Sequence, residues 1–590
     1  MKWWEKNRVT LQQELDDLVA ANMQPQLQKD MLKQGKVVIT VNLQLFGNQH
    51  LGKIIYPDLY PYFRPRLFIP GLNFDFRHYN PLCGEICLLK RDTGLWQPSM
   101  TAARLITSMV PEWELACVRK YEDARLDTED RQAEPKNAYF PGVEGQTVLI
   151  DTSWAVPLGI SSGKMKIAAT KDLKKVTAST HFVAFGLQLL SKEYNEINCA
   201  TESIRSWVKR RNLADHTIPW IKLDAPPQVC SVQELASLLR QNPAINQAIL
   251  TDQAKGRSGL CGICFPEEAP GGGQRDGWIF LGYRLERQRS AKKEGSSSPY
   301  WLVKADPAAE RDLFERIPEL SPLRQKSIAV FGLGCVGAPS ALGLARAGIG
   351  ELRLLDADFL SAGTACRWPF GLASAGEGKV KLISQFIEAN YPFTKINRSH
   401  YPPEVGEDFR ISLGDLSLAT YDQMDIIEKM IDGADLVYDA TAEMAINHLL
   451  SDLAKEKGVP YVTVSSRSGG WGGNVVRIRP DGDSGCFLCY LQALESKDII
   501  NPPYDPHGDE LQPVGCGDLT FKAAGFDVEE ISLSGVRMAV ATLCAGVVGG
   551  YPSLEDDIGI LSLRENGNAV FPNWKSYPLH KHPKCPRCNK

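Results

Sequence analysis

The chain has 590 residues, 43% of them hydrophobic and 23% charged, which at roughly 150 residues per domain predicts two to four domains with sizeable cores. Lys+Arg 66 against Asp+Glu 70 leaves a net charge of -4, and this excludes a strongly basic nucleic-acid-binding chain. No apolar run reaches the ~18 residues of a spanning helix; the nearest, 536–548, is interrupted by Arg537, so no membrane association is expected.

Residues 1–20 carry charges within the first six positions, without a secretory core, and predict an amphipathic helix. Fifteen cysteines in such a chain point to a reducing cytoplasm and to thiols used for metal or chemistry rather than a disulfide framework. Strands are predicted over 36–70, where KVVITVNLQLFG alternates with period two, and helical periodicity returns over 99–126. The acidic, proline-containing stretch 127–143 predicts the first domain boundary.

Between these elements lies HYNPLCGEICLLKRDTGLWQPS, preceded by YPDLYPYFRPRLFIP. Together they resemble the signature of ubiquitin-conjugating enzymes, with Tyr79 standing where that family has a proline. The resemblance implies an α+β conjugating-like domain over 1–145, with Cys87 as the acyl-carrying nucleophile. It implies for Asn80, seven residues earlier, a hydrogen bond to the oxyanion formed when an amine attacks a thioester. Cys83 is the competing thiol, but it lies in the loop rather than in the Ile-Cys-Leu context. His78 is expected to orient the Asn80 loop, and Trp96 and Pro98 to pack the loop that shields Cys87.

Residues 146–314 predict a mixed α/β region, assigned by position alone as a linker or an inactive adenylation-like domain. Its segments 266–277 and 289–299 have loop composition, as hairpin tips or as linkers. From Ser327 the pattern becomes strand, glycine turn, helix, strand, the opening of a doubly wound sheet over 315–590, continued by strands at 434–441 and 459–466. Gly332, Gly334 and Gly337 form GxGxxG, whose backbone N–H groups can approach a phosphate at a helix N-terminus. Asp356 follows 19 residues after Gly337, where a carboxylate can hold ribose hydroxyls. Arg367 and Lys379 lie 11 and 23 residues beyond Asp356, and two cations there suit attack at the α-phosphate of a triphosphate.

DADFLSAGTACRWPF followed by GKVK resembles the adenylation domain of the ubiquitin-activating and ThiF/MoeB family. The resemblance implies a Rossmann-like fold that binds ATP and Mg²⁺, with Asp356 and Asp358 forming the Asp-x-Asp strand end. It places phosphate contacts on Arg367 and a catalytic cation on Lys379. Two departures stand out: the family's Asn-Leu-x-Arg is Thr364-Ala365-Cys366-Arg367, and its magnesium-side Asp is Ala442. Mg²⁺ then falls to Asp439, to Glu443, or mainly to phosphate and water.

Cys486-x-x-Cys489 and Cys585-x-x-Cys588 have zinc-ligand spacing, and four thiolates make a closed structural site. Cys261-x-x-Cys264 has no second pair; buried thiols are the expectation, with a redox pair or shared zinc ligation as the alternative. Cys516 lies in a glycine-rich stretch after the first zinc pair. There thioester-forming activating enzymes carry their nucleophile, and the resemblance gives it that role.

A conjugating-like domain first and an adenylation domain last resemble the fused activating–conjugating enzymes of CBASS antiphage systems. That resemblance implies as partners the C-terminus of a CD-NTase, a cyclic-oligonucleotide synthase, together with a target protein amine, and a homodimer built through adenylation domains. Competing readings are a sulfur-carrier-protein activating enzyme, which leaves Cys87 and Asn80 unused, and a non-catalytic scaffold, for which Ala442 is the best argument. An NAD-dependent oxidoreductase is a more distant one.

Overall fold

The computed structural model describes residues 2–88, 96–118, 133–229, 231–269, 273–284, 299–414, 421–481, 484–507 and 522–588. It is a mixed α/β protein of two compact units, Met1–Asp312 and Leu313–Lys590. Among the described residues no helix is long and apolar enough to cross a membrane.

In the first unit, the alternating run after residue 36 forms the strands Val37–Leu45 and Asn48–Tyr56, paired antiparallel from Val37↔Tyr56 to Leu45↔Asn48. Arg66–Phe68, Glu85–Ile86 and Tyr79–Asn80 extend this six-stranded antiparallel sheet on one side, and Gln26–Leu27 closes the other. The helices Arg8–Ala20 and Ala102–Cys117 pack over it, and Leu18, Ile39, Leu45 and Ile54 are almost completely buried.

One carboxylate is buried with them. Glu14 accepts hydrogen bonds from Tyr56 Oη at 2.7 Å, from the Ala102 N–H at 2.9 Å and from Tyr60 Oη. Burial raises its pKa, the three donors oppose that rise, and together they join the first helix, the sheet and the start of the later helix.

The middle of the first unit has an eight-stranded sheet. Phe182–Ser191 pairs with Gln146–Ile150 and also with Ser162–Ala169, so seven of the strands close into a ring. This closed plan differs from the open sheet of the second unit. Segment 266–277 covers the end of the strand Ser258–Glu268 and the start of Gln274–Arg284, which pair antiparallel from Ser258↔Arg284 to Glu268↔Gln274, and segment 289–299 lies, but for Pro299, outside the described residues. Cys261 and Cys264 sit within one of these strands, three residues apart, so their side chains point to opposite faces of the sheet. Each joins a different hydrophobic cluster and burial pushes both thiols up, which fits buried core thiols and not a redox pair.

The second unit is an open eight-stranded sheet in the order Lys395–Ile396, Glu351–Leu355, Ser327–Phe331, Leu436–Asp439, Tyr461–Ser466, Gly472–Ile478, Ile558–Glu565 and Asn568–Tyr577. The first five strands are parallel and the last three join antiparallel. Strand order reverses between Ser327–Phe331 and Leu436–Asp439, and such a switch point leaves a crevice at the strand carboxyl ends. The helices Gly337–Arg346 and Gly525–Leu543 pack on each other there.

Replacing Glu14 by Ala strips three buried donors of their acceptor, a loss of about 1–3 kcal/mol. The first thermal unfolding transition of the full chain should fall accordingly, with Glu14→Gln falling less.

Candidate functional site

The glycine turn at the switch point gives each glycine a separate task. Gly332 has φ +83°, and a Cβ on it would lie 2.8 Å from the Ala440 backbone. A Cβ on Gly337 would lie 2.0 Å from the Gly332 carbonyl oxygen, so only glycine lets the helix approach the turn. Gly334 faces open space, with nothing within 4 Å, and leaves room for a ligand to reach the backbone.

Asp356, at the end of the neighbouring strand, clamps that turn. Its Oδ2 accepts the Leu333 N–H at 2.5 Å and its Oδ1 the Asp358 N–H at 2.7 Å. Burial raises its pKa, and the Lys379 cation, 3.8 Å from Oδ1, lowers it. Lys379 opens the helix Lys379–Asn390, and its Nζ pairs with the more exposed Asp358 at 2.5 Å. Asp356, expected at the ribose, is buried and holds the loop, and of the Asp-x-Asp pair Asp358 is the accessible acid.

Arg367 is fixed by its neighbour: Trp368 is buried and its Nε1 donates to the Leu333 carbonyl at 2.8 Å. Arg367 and Lys379 both act on Cys335 inside the glycine turn, whose thiol is raised by burial and lowered by these two cations. Positive charge is thus felt within the glycine turn, next to the open space at Gly334. Trp368 went unassigned at the sequence level, and its one available signal is adjacency to Arg367.

Asp439 is completely buried. Thr441 N–H and Oγ1 donate to its Oδ1 at 2.9 and 2.7 Å, and Asn447 Nδ2 and Tyr461 Oη to its Oδ2, each at 2.8 Å. Four donors use the carboxylate to shape the strand end. Glu443 is exposed and caps the helix Met444–Glu456, accepting the Ala445 N–H at 3.4 Å.

Cys486, Cys489, Cys585 and Cys588 converge with all four sulfurs within 4.8 Å of one another and three contacts of 3.7–3.8 Å. A tetrahedron of Zn–S bonds near 2.3 Å has an edge of about 3.8 Å, so the donor set and spacing fit zinc. Arg587 pairs with Asp452, and Gln492 Nε2 donates to the Lys584 carbonyl; both contacts hold the C-terminal segment against the domain body.

In the first unit, Cys87 follows a tight hairpin of Tyr79–Asn80 and Glu85–Ile86. Gly84 has φ +80°, and a Cβ there would meet the Pro70 backbone at 2.7 Å. The Cys87 N–H donates to the His78 carbonyl at 2.9 Å, and Asn80 Oδ1 accepts the Leu82 N–H at 3.0 Å, so the amide nitrogen is the end available to a ligand. Cys87 is half-buried, Cys83 exposed, and Arg66 is influenced by both thiols while paired to Glu85. Trp96 is buried and donates to the Pro61 carbonyl at 2.8 Å. Cys516 lies outside the described residues; nine residues on, the chain enters the helix Gly525–Leu543, where a Cβ on Gly525 would lie 3.2 Å from the Arg367 backbone.

Gly337→Ala should lower the melting temperature of the second unit by overpacking worth about 1–3 kcal/mol. Gly334→Ala should leave that temperature unchanged, because its Cβ enters open space.

The ThiF family model matches residues 311–550. The uncharacterized protein y4qC of Sinorhizobium fredii (strain NBRC 101917 / NGR234) is 28% identical over 562 residues, 90% of this chain and 88% of its own. The ubiquitin-like modifier-activating enzyme 5 of Aedes aegypti is 31% identical over 189 residues, covering 31% of this chain and 44% of that enzyme. Among solved structures, E. coli MccB with ATP aligns at 15% identity over 46% of this chain and 69% of that one, with a TM-score of 0.32. Residues 311–550 of this chain form a ThiF family domain.

Proposed function

We propose that this chain is an ATP-dependent ligase that activates a protein's C-terminal carboxylate and conjugates it to an amine. The observation that carries the reading is the pair Arg367 and Lys379 set around an open glycine turn in a ThiF family domain. The resemblance of Cys87 and Asn80 to a conjugating site supports the second half.

The carboxylate oxygen attacks the α-phosphorus of ATP and pyrophosphate leaves, giving an acyl-adenylate. Arg367 and Lys379 stabilise the charge that builds on the phosphoryl oxygens. Mg²⁺ supplies further neutralising charge when bound with the triphosphate. With Asp439 withdrawn into the strand end, the accessible acid toward it is Glu443, alongside phosphate and water. The Cys516 thiolate then attacks the acyl carbon and AMP leaves. Exchange of that thioester onto Cys87 is nearly isoenergetic, since one thioester replaces another. A target amine displaces the Cys87 thiolate and loses a proton, forming an amide, while Asn80 donates to the oxyanion.

The domain order resembles CD-NTase-associated protein 2 of CBASS antiphage systems. On that reading the activated carboxylate belongs to a CD-NTase, the protein acts in the cytoplasm in antiphage defence, and adenylation domains pair in a homodimer. Zinc occupies the four-cysteine cluster and ties the C-terminal segment to the fold.

The deciding experiment is a trap. Cys87→Ser, expressed in the native host, should accumulate an ester on residue 87, seen by intact mass and removed by hydroxide. The adduct should vanish in the Cys516→Ala background, and Lys379→Ala should cut ATP–pyrophosphate exchange by about 10²-fold. No adduct, with partner and ATP present, would sink the conjugating half of the reading. Elemental analysis should find one zinc per chain, and Cys585→Ser with Cys588→Ser should lose it and lower the melting temperature of the second unit.

A further inference from the structure

Cys87 belongs to the first sheet, yet the contacts that hold its loop lead out of that sheet. His78 is a non-glycine residue at φ +53°, and its carbonyl accepts both the Cys87 N–H at 2.9 Å and Trp113 Nε1 at 3.0 Å. Glu134 holds His78 in that conformation. Both Glu134 oxygens lie 2.9 Å from the His78 N–H, and Oε1 lies 2.9 Å from His78 Nδ1.

Glu134 is in turn held by the closed sheet. Its own N–H donates to Glu268 Oε2 at 2.8 Å, and Glu268 also takes a two-oxygen contact from Arg77 Nη1 at 2.7 and 2.8 Å. Arg77, the residue before His78, has a buried side chain. The preceding residue of the same strand, Glu267, accepts the Asn137 N–H at 3.0 Å and pairs with Arg275 at 3.1 Å. A separate apolar contact points the same way: Leu82, in the turn just before Cys87, packs against the cluster of Phe140, Phe265 and Leu281.

We infer that the closed middle sheet sets the conjugating loop through Glu268 and Glu134, which makes Glu134 a positioning residue for Cys87. The middle region is then a support for the thiol and not a passive spacer. Two hydrogen bonds, from the His78 N–H to the Glu134 carboxylate and from the Cys87 N–H to the His78 carbonyl, carry the constraint from carboxylate to nucleophile. Burial pushes the Glu134 carboxyl up, but His78 and Arg77 outweigh it and hold the group below its usual range, so it remains charged for both tasks. The inference deepens the proposed function, since it takes Cys87 as the acyl carrier.

The test uses the full chain carrying Glu268→Gln, a change on the far side of the contact, with Glu134→Gln as the second variant. Hydrogen exchange should show lost protection in the peptide 78–88 while strands 37–56 and 146–150 stay protected. Transfer of the acyl group onto Cys87 should fall about tenfold, because small misplacements of a nucleophile are costly, while ATP–pyrophosphate exchange is unchanged. The double variant should be no worse than the worse single, because both residues act in one chain of contacts. Unchanged protection over 78–88 in Glu268→Gln overturns the inference, as does lost protection with transfer intact. Should Cys87→Ser capture nothing, the acyl-carrier reading fails by itself, and the exchange data still decide whether the middle sheet holds the loop.

Discussion

The carboxylate of Asp356 is the constraint on which the glycine turn of the second unit depends. A glycine turn alone is a loose object, since each glycine keeps freedom that folding must remove. Asp356 fixes it by accepting the Leu333 N–H and ties its own strand end by accepting the Asp358 N–H. A buried carboxylate is expensive to hold unless donors and a cation surround it, and Lys379 supplies that cation. The same lysine acts on Cys335 inside the turn, so the group that makes the turn tolerable also charges it. Trp368 adds the second fixed point and sets Arg367 on the other flank.

The cysteines separate by geometry more than by motif. Three pairs share the spacing Cys-x-x-Cys, yet only two converge. Cys486 caps a helix and Cys489 lies in its first turn, where that spacing brings thiols together; Cys585 and Cys588 sit in the turns that close over them. On the strand Ser258–Glu268 the same spacing sends Cys261 and Cys264 to opposite faces. Cys87 differs again: it is half-buried beside Arg66, in a loop fixed by hydrogen bonds to its backbone.

Carboxylates play the matching structural role in the first unit. Glu14, Glu134 and Glu268 each accept from donors that are distant in sequence and join elements that secondary structure leaves separate. On the proposed function the loop of Cys87 needs such fixation, because a thioester carbon must meet an amine in a narrow range of geometry.

The amino-acid order by itself determined the features whose physics is local. The alternation over residues 37–45, the glycine turn 332–337 and the placement of Asp356, Arg367 and Lys379 beside it follow from strand and turn geometry at short range. The resemblance of HYNPLCGEIC to a conjugating signature was legible in the same way. Tertiary structure alone decided which acids are free. Asp439 was eligible as a ligand by position, and only the convergence of Thr441, Asn447 and Tyr461 shows it engaged. Glu134 stood in a stretch that resembled a domain boundary, and its partner His78 lies 56 residues away. The closure of the middle sheet depends likewise on Ser162–Ala169 pairing on both sides, a choice made between distant strands. Periodicity reports which face of an element is buried, and it carries no information about which other element comes to cover it.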